Sequence, residues 1–144
     1  MAMENLKLVY TLMCDDVRVE MGNKISIMGI FQNIMVEKLP ISLIKFAVLN
    51  HWTGAGNYQT EVRILSPDRE EELVSSAPTL LELAPGGFTD NVSFFVNVVF
   101  TTPGTYWVQT LADEEVVQEF PLVVTDQANM EGSRLPENIS ETVN

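Results

Sequence analysis

The sequence predicts an all-β protein, a single antiparallel β-sandwich of about seven to nine strands. Three observations lead there. The apolar runs are rich in valine, isoleucine and phenylalanine, as in NVSFFVNVVF, and glycine, proline, asparagine or aspartate breaks them at short intervals. No stretch of about 12 residues carries a helical period. A chain of 144 residues has the size of one domain and buries roughly two-thirds of its unfolded surface, enough for one core. The sandwich is expected over residues 1–125, with an acidic tail, flexible or docked on a partner, over residues 126–144.

Alternation of apolar residues predicts each element in turn. Leu8, Tyr10, Leu12 and Cys14 share one parity and Val17, Val19 and Met21 the other, so the first strand slips by one residue at Asp15-Asp16, through a β-bulge or a change of sheet. Cys14 is then a buried small apolar residue, and Asp15 and Asp16 satisfy backbone N–H groups at the bulge. A three-residue loop, Gly22-Asn23-Lys24, turns Val19 toward Ile27 and Met21 toward Ile25. Further on, TGAGN reads as a five-residue hairpin loop pairing Trp52 with Tyr58, Val48 with Val62 and Phe46 with Ile64 on one apolar face. The other face carries Lys45, Ala47 and His51 opposite Leu65, Arg63 and Gln59, a solvated side apart from Leu49 and Leu65. Asp68 to Ser76 is the place for a turn or two of helix. Near the end a turn at Asp113, Glu114 and Glu115 sets Val108 against Phe120, Tyr106 against Leu122 and Thr110 against Gln118. Val96, Val98, Tyr106, Val108 and Phe120 are expected in the core.

Charge narrows the function classes. Eight Lys and Arg against 20 Asp and Glu give a net charge of −12, a surface that repels phosphate backbones and anionic lipid, so neither nucleic acid nor a membrane is an expected partner. The N-terminus has no apolar block of signal-peptide length, and the single cysteine excludes an intrachain disulfide; both fit a cytoplasmic protein. Catalysis of the Ser-His-Asp or Cys-His kind would have to use His51, the one histidine, and nothing near it in sequence resembles a nucleophile elbow. His51 reads instead as an exposed strand-end residue. One cysteine and one histidine cannot build a structural zinc site, and no loop shows the D-x-D spacing that gathers oxygens around calcium. No cofactor is expected.

The last third, with Pro103-Gly104-Thr105-Tyr106 breaking the chain before a strand-turn-strand finish, resembles the closing strands of immunoglobulin-like sandwiches. Cys14-Asp15-Asp16-x-Arg18, Asn23-Lys24, Gly29-Ile30-Phe31 and Trp52-x-Gly54 are similar to a bacterial family of short uncharacterised proteins, a domain of unknown function, over about residues 6 to 125. That resemblance implies no activity and carries over no catalytic residue.

The reading that follows is a non-catalytic protein-binding or assembly module, bacterial or from a phage, with a protein partner or self-association. A calcium-dependent or small-ligand-binding sandwich is the alternative, and an enzyme using His51 comes third. Partner contact is expected at His51 and Trp52 and along Leu135, Ile139 and Val143, which fall on one face of a short helix in the tail. Asp15, Asp16 and Arg18 form the alternative polar cluster. If the tail docks on a partner, deletion of residues 127–144 should leave the melting temperature of the body unchanged and lower partner capture or oligomer mass; unaltered binding and assembly would make it inert.

Overall fold

The longest strand takes part in both layers of the sandwich. The computed structural model describes residues 5–128 as eight strands: β1 (Leu6–Val19), β2 (Ile25–Ile30), β3 (Asn33–Val36), β4 (Ile41–Leu65), β5 (Glu72–Ser75), β6 (Thr79–Phe100), β7 (Gly104–Ala112) and β8 (Glu115–Asp126). They form one eight-stranded sheet in the order β2-β1-β4-β7-β8-β3, with β5 and β6 also paired to β4. Residues 41–54 of β4 lie between β1 and β6, giving layer A with β2 outside β1. Residues 56–65 lie between β7 on one side and β5 and the start of β6 on the other, giving layer B, which β8 and β3 extend. The fold is the all-β sandwich that the sequence predicts, with one departure from antiparallel pairing: β3 runs parallel to β8.

No hairpin forms at TGAGN. The chain passes through it as strand and turns from one layer into the other. Gly54 and Gly56 have φ of 142° and 114°, values that L side chains avoid. A Cβ on Gly54 would lie 2.0 Å from the Asn5 carbonyl oxygen, whose close approach receives the Ala55 N–H at 2.8 Å. Beside this bend β6 carries three residues, 84–86, opposite the single Ala55, a bulge that lets the outer strand follow the curve. The residues that the hairpin reading placed on one face are all buried: Phe46, Val48, Trp52, Tyr58, Val62 and Ile64. Their facing is right and their connection differs, because an unbroken strand keeps the same parity as a hairpin centred on Ala55.

Between the layers the core has two apolar clusters. One contains Phe46, Val48, Val62, Ile64, Val98, Phe100, Tyr106 and Val108, and the other Trp52, Tyr58, Leu81, Leu83 and Ala112. A polar belt separates them. Asn50, Thr60 and Thr110 are at most 1% exposed, and each occupies the inward position between a residue of one cluster and a residue of the other. Asn50 Nδ2 donates to Thr110 Oγ1 across the layers at 3.3 Å, and Thr11 Oγ1 stands within hydrogen-bond distance of Asn50 Oδ1 and Gln118 Oε1. Thr60 Oγ1 donates to the Thr79 carbonyl at 3.5 Å, and these groups are tolerated inside because each has a partner. They also tie the layers in register, since slipping either strand would strand a buried amide.

Other expectations are corrected in register. The slip in β1 is at Val9, between the pairs Leu8↔Trp52 and Tyr10↔His51, not at Asp15-Asp16. The first hairpin pairs Val19 with Ile25 and Val17 with Ile27, two residues from the expected register, which leaves the faces unchanged. Residues 68–76 form no helix: Ser66 and Asp68 hold a turn, with Asp68 Oδ1 accepting from Ser66 Oγ and the Glu70 N–H, and Glu72–Ser75 is strand. Val96 is 63% exposed, because both paired strands change face at Ile44 and Asn97, the latter at φ 52°. The last hairpin has the expected pairs Val108↔Phe120, Tyr106↔Leu122 and Thr110↔Gln118, closed by a two-residue turn and a bulge at Val117, opposite the Thr110–Leu111 step. At the immunoglobulin-like corner Tyr106 Oη donates to the Thr102 carbonyl at 2.8 Å.

Gly54→Ala should destabilise the protein by about 2–4 kcal/mol, through strain at positive φ and displacement of Asn5. A shift in the denaturant midpoint checks this, and an unshifted midpoint contradicts the bend.

Candidate functional site

Layer A is apolar on both faces, and its outer face leaves Phe88, Phe94 and Val96 exposed. The sequence source is two runs without alternation, Phe46-Ala47-Val48-Leu49 in β4 and Phe94-Phe95-Val96 in β6. Phe46, Val48 and Phe95 enter the core, so Ala47, Leu49, Phe94 and Val96 point outward, as the alternation of strand side chains requires. From β1, Tyr10, Leu12 and Cys14 join them, paired to His51, Leu49 and Ala47. Ala47, Leu49 and Cys14 are fully buried, whereas Phe88 is 73% and Phe94 48% exposed. Exposed apolar residues scattered singly need no explanation; several on one sheet face do.

His51 is at one end of this face, in the middle of its strand rather than at a strand end. Its Nδ1 is 2.7 Å from Asp90 Oδ1, its ring stacks on Tyr10 at 4.9 Å between centroids, and Phe88 lies tilted against it at 5.8 Å. The carboxylate orients the imidazole, as in a catalytic pair. Yet the rings of Tyr10 and Phe88 occupy its surroundings, and the one cysteine, Cys14, is fully buried with its thiol pushed up by desolvation, so it is no thiolate nucleophile. At the opposite end Lys45 Nζ donates to Asp16 Oδ1 at 3.1 Å and lies 4.9 Å from the centre of the Phe94 ring. That hydrogen bond is the largest cause holding the Asp16 carboxyl below its ordinary range.

The residues expected from sequence divide sharply. His51 lies on the face. Trp52 does not: it is fully buried, one position out of phase, and its indole lines a cleft of about 550 Å³ between β1 and β8, so it cannot meet a partner as expected. Of the polar cluster, Asp16 joins Lys45 and Arg18 at the edge of the face. Asp15 packs against Gly29, where a Cβ would collide with its carboxylate. Leu135, Ile139 and Val143 lie outside the described residues. Tyr10, Lys45, Phe88, Asp90 and Phe94 were missed, and the two unalternating runs were the signal that could have found them. Among the described residues no group of three or more His, Cys, Asp and Glu is placed to hold a metal ion.

The outer face of layer B is built differently. Arg69 clamps Glu119 with two hydrogen bonds of 2.6 and 2.8 Å, Gln109 donates to the same carboxylate at 2.7 Å, and Arg63 Nε donates to Gln109 Oε1. Arg69 also lies over the Trp107 ring at 4.2 Å. The network closes around Gln109, which is 6% exposed, and the fork from Arg69 is the main cause holding the Glu119 carboxyl below its ordinary range.

A family of unknown function, DUF6941, has a model that matches residues 9–125. The chain therefore belongs to that family. No curated protein matches the sequence. Among solved structures, an immunoglobulin-like protein from Pseudomonas aeruginosa is similar at 13% identity and a TM-score of 0.44, with 87% of this chain and 100% of that one covered. A CARDB domain from Pyrococcus furiosus, solved with di-metal ions, is similar at 14% identity and a TM-score of 0.40, covering 85% and 90%. An alkylpurine DNA glycosylase from Pseudomonas fluorescens, bound to DNA, is similar at 8% identity and a TM-score of 0.45; 65% of this chain is covered, and the match spans 27% of the glycosylase.

The lowered Glu119 pKa fixes the sign of a pH effect. A carboxyl depressed by folding stabilises above its unfolded pKa of about 4.3, and that contribution is lost as pH falls through the folded value. Arg69→Met should therefore lower the melting temperature slightly at pH 7, and the deficit should disappear in acid. A deficit that persists unchanged below about pH 3 would mean that packing on Trp107, not charge, sets it.

Proposed function

We propose that this member of a family of unknown function is a non-catalytic protein-binding or assembly module that docks through the outer face of layer A. The observation that carries the reading is the outer face of layer A, which presents two aromatic rings, Phe88 and Phe94, together with Val96 to solvent. On layer B the exposed apolar side chains are the aliphatic Met35, Leu80 and Val116, one each on β3, β6 and β8, beside the Arg63–Gln109–Glu119–Arg69 network. Covering one such side chain is worth about 1.5–3 kcal/mol, and aromatic residues on a flat, mostly uncharged patch are the usual anchors of a protein interface. In a chain of net charge −12, such a patch would be a solubility liability unless something covers it.

The His51–Asp90 pair fits this reading without chemistry. The carboxylate fixes the ring so that its flat side supports Tyr10, and a fixed aromatic platform loses little side-chain entropy on binding.

Phe88→Ser combined with Phe94→Ser should keep the melting temperature within a few degrees of the parent while abolishing its intermolecular association, whether with itself or with proteins retained from native lysate. Val116→Ser, exposed at the β1–β8 cleft, should change neither. Undiminished association in the double variant overturns the docking reading.

A further inference from the structure

We infer that the cleft between β1 and β8 is a binding site for a small, neutral, apolar molecule whose carbonyl oxygen accepts a hydrogen bond from the Trp52 indole. The site is separate from the outer face of layer A, so this inference and the docking reading can fail independently.

An orphaned donor is the first argument. Trp52 Nε1 is the one buried side-chain nitrogen or oxygen among the described residues that has no hydrogen-bond partner. Leaving a buried N–H unmade is costly, and such a group in a folded protein calls for a reason. The core supplies no acceptor. The neighbours of Trp52 in its cluster are aliphatic apart from Tyr58, whose Oη is turned to the Ala55 carbonyl at 2.7 Å. An acceptor must therefore come from the side on which the cluster opens, and that side is the cleft of about 550 Å³ that Trp52 lines together with Leu6, Leu8 and Val117. Sites for small molecules span about 300–1,000 Å³ and combine apolar walls with a few placed polar groups.

Entry involves two side chains. Leu8 and Val117 both line the cleft and pack, partly buried, against the cluster that holds Trp52. Trp52 itself is fully buried, so the ligand reaches its N–H when these two change rotamer, an adjustment common at binding surfaces.

Charge selects the class of ligand. The charged residues of the lining, Lys7 and Glu115, are exposed and of opposite sign, so the rim favours neither anion nor cation. A carboxylate at the indole would be a buried anion without a counter-ion, in a chain of net charge −12. A plain hydrocarbon would leave the N–H as it is. The carbonyl of a ketone, ester or amide accepts the hydrogen bond and brings no charge with it.

The test uses methyl hexyl ketone as the neutral probe and octanoate as its charged counterpart, read by the indole N–H resonances of the full chain in a proton–nitrogen correlation spectrum. The chain has two tryptophans, so Trp107 on layer B is an internal control. The ketone should move the Trp52 resonance downfield in a saturable way and leave that of Trp107 in place, and octanoate at pH 7 should bind at least about tenfold more weakly. Val117→Phe, verified as folded by its melting curve, should narrow the entry and remove the response while the Trp52 resonance remains. Trp52→Phe keeps an aromatic ring in the core without the donor, and its affinity for the ketone, measured by saturation transfer, should fall about threefold to tenfold, the loss of one neutral hydrogen bond. The absence of a saturable shift at Trp52 in the parent chain, up to the solubility limit of the ketone, overturns the site whatever the variants do. Octanoate binding as tightly as the ketone overturns the neutral class, and an affinity that Trp52→Phe leaves unchanged overturns the hydrogen bond.

Discussion

The structure depends on β4 remaining one strand through Gly54 and Gly56. A strand of 25 residues is far longer than one layer of a small sandwich needs, and its halves would have to separate if the chain could not turn without leaving the ladder. Two glycines at positive φ make the turn, the Asn5 carbonyl fills the space that side chains would have taken, and the bulge in β6 follows on the outside. Both layers thereby share one interior strand. Phe46 and Val48 from one half join Val62 and Ile64 from the other in the same core cluster, so one strand supplies both walls and β6, β7 and β8 complete them.

The polar belt follows from the same geometry. Because β4 contributes to both layers, Asn50 and Thr60 return at one level, and β7 brings Thr110 to join them. Neither half of β4 can shift along its neighbours without breaking that level, and a one-residue slip would also exchange the core face for the outer one. Register here protects the outer face as well as the core. With Ala47, Leu49 and Cys14 fully buried beside Phe94, Leu12 and the Tyr10–His51 stack, the sheet of layer A carries apolar residues on both faces, the arrangement expected where another surface completes the packing.

The sequence makes the fold class and the closing hairpin legible because those rest on signals of short range: β-branched runs, turn residues, and alternation on a layer with one wet face. Thr110 opposite Gln118 is right for that reason. Alternation fails where layer A begins, since it presumes a single apolar face. Tyr10, Leu12 and Cys14 read as core and point outward, so the slip at Val9 is displaced to Asp15-Asp16. Parity also cannot distinguish a strand that turns back from one that bends around the core, as both keep even-numbered residues of β4 inward; TGAGN reads as a loop on glycine content alone. His51 is found because it is the one histidine, yet its partners Asp90 and Phe88 lie some forty residues away, beyond any local pattern. Trp52, the neighbour that sequence reasoning joined to it, faces the opposite way by the same alternation.

Amide hydrogen exchange along β4 tests the account most directly. One strand shared by two layers predicts slow exchange from Phe46 to Ile64 with no gap, and it includes Ala55, whose N–H is held by Asn5. Rapid exchange confined to residues 53–57 between two protected arms is the signature of a hairpin loop and would contradict the shared strand, and with it the two-faced layer on which the functional reading stands.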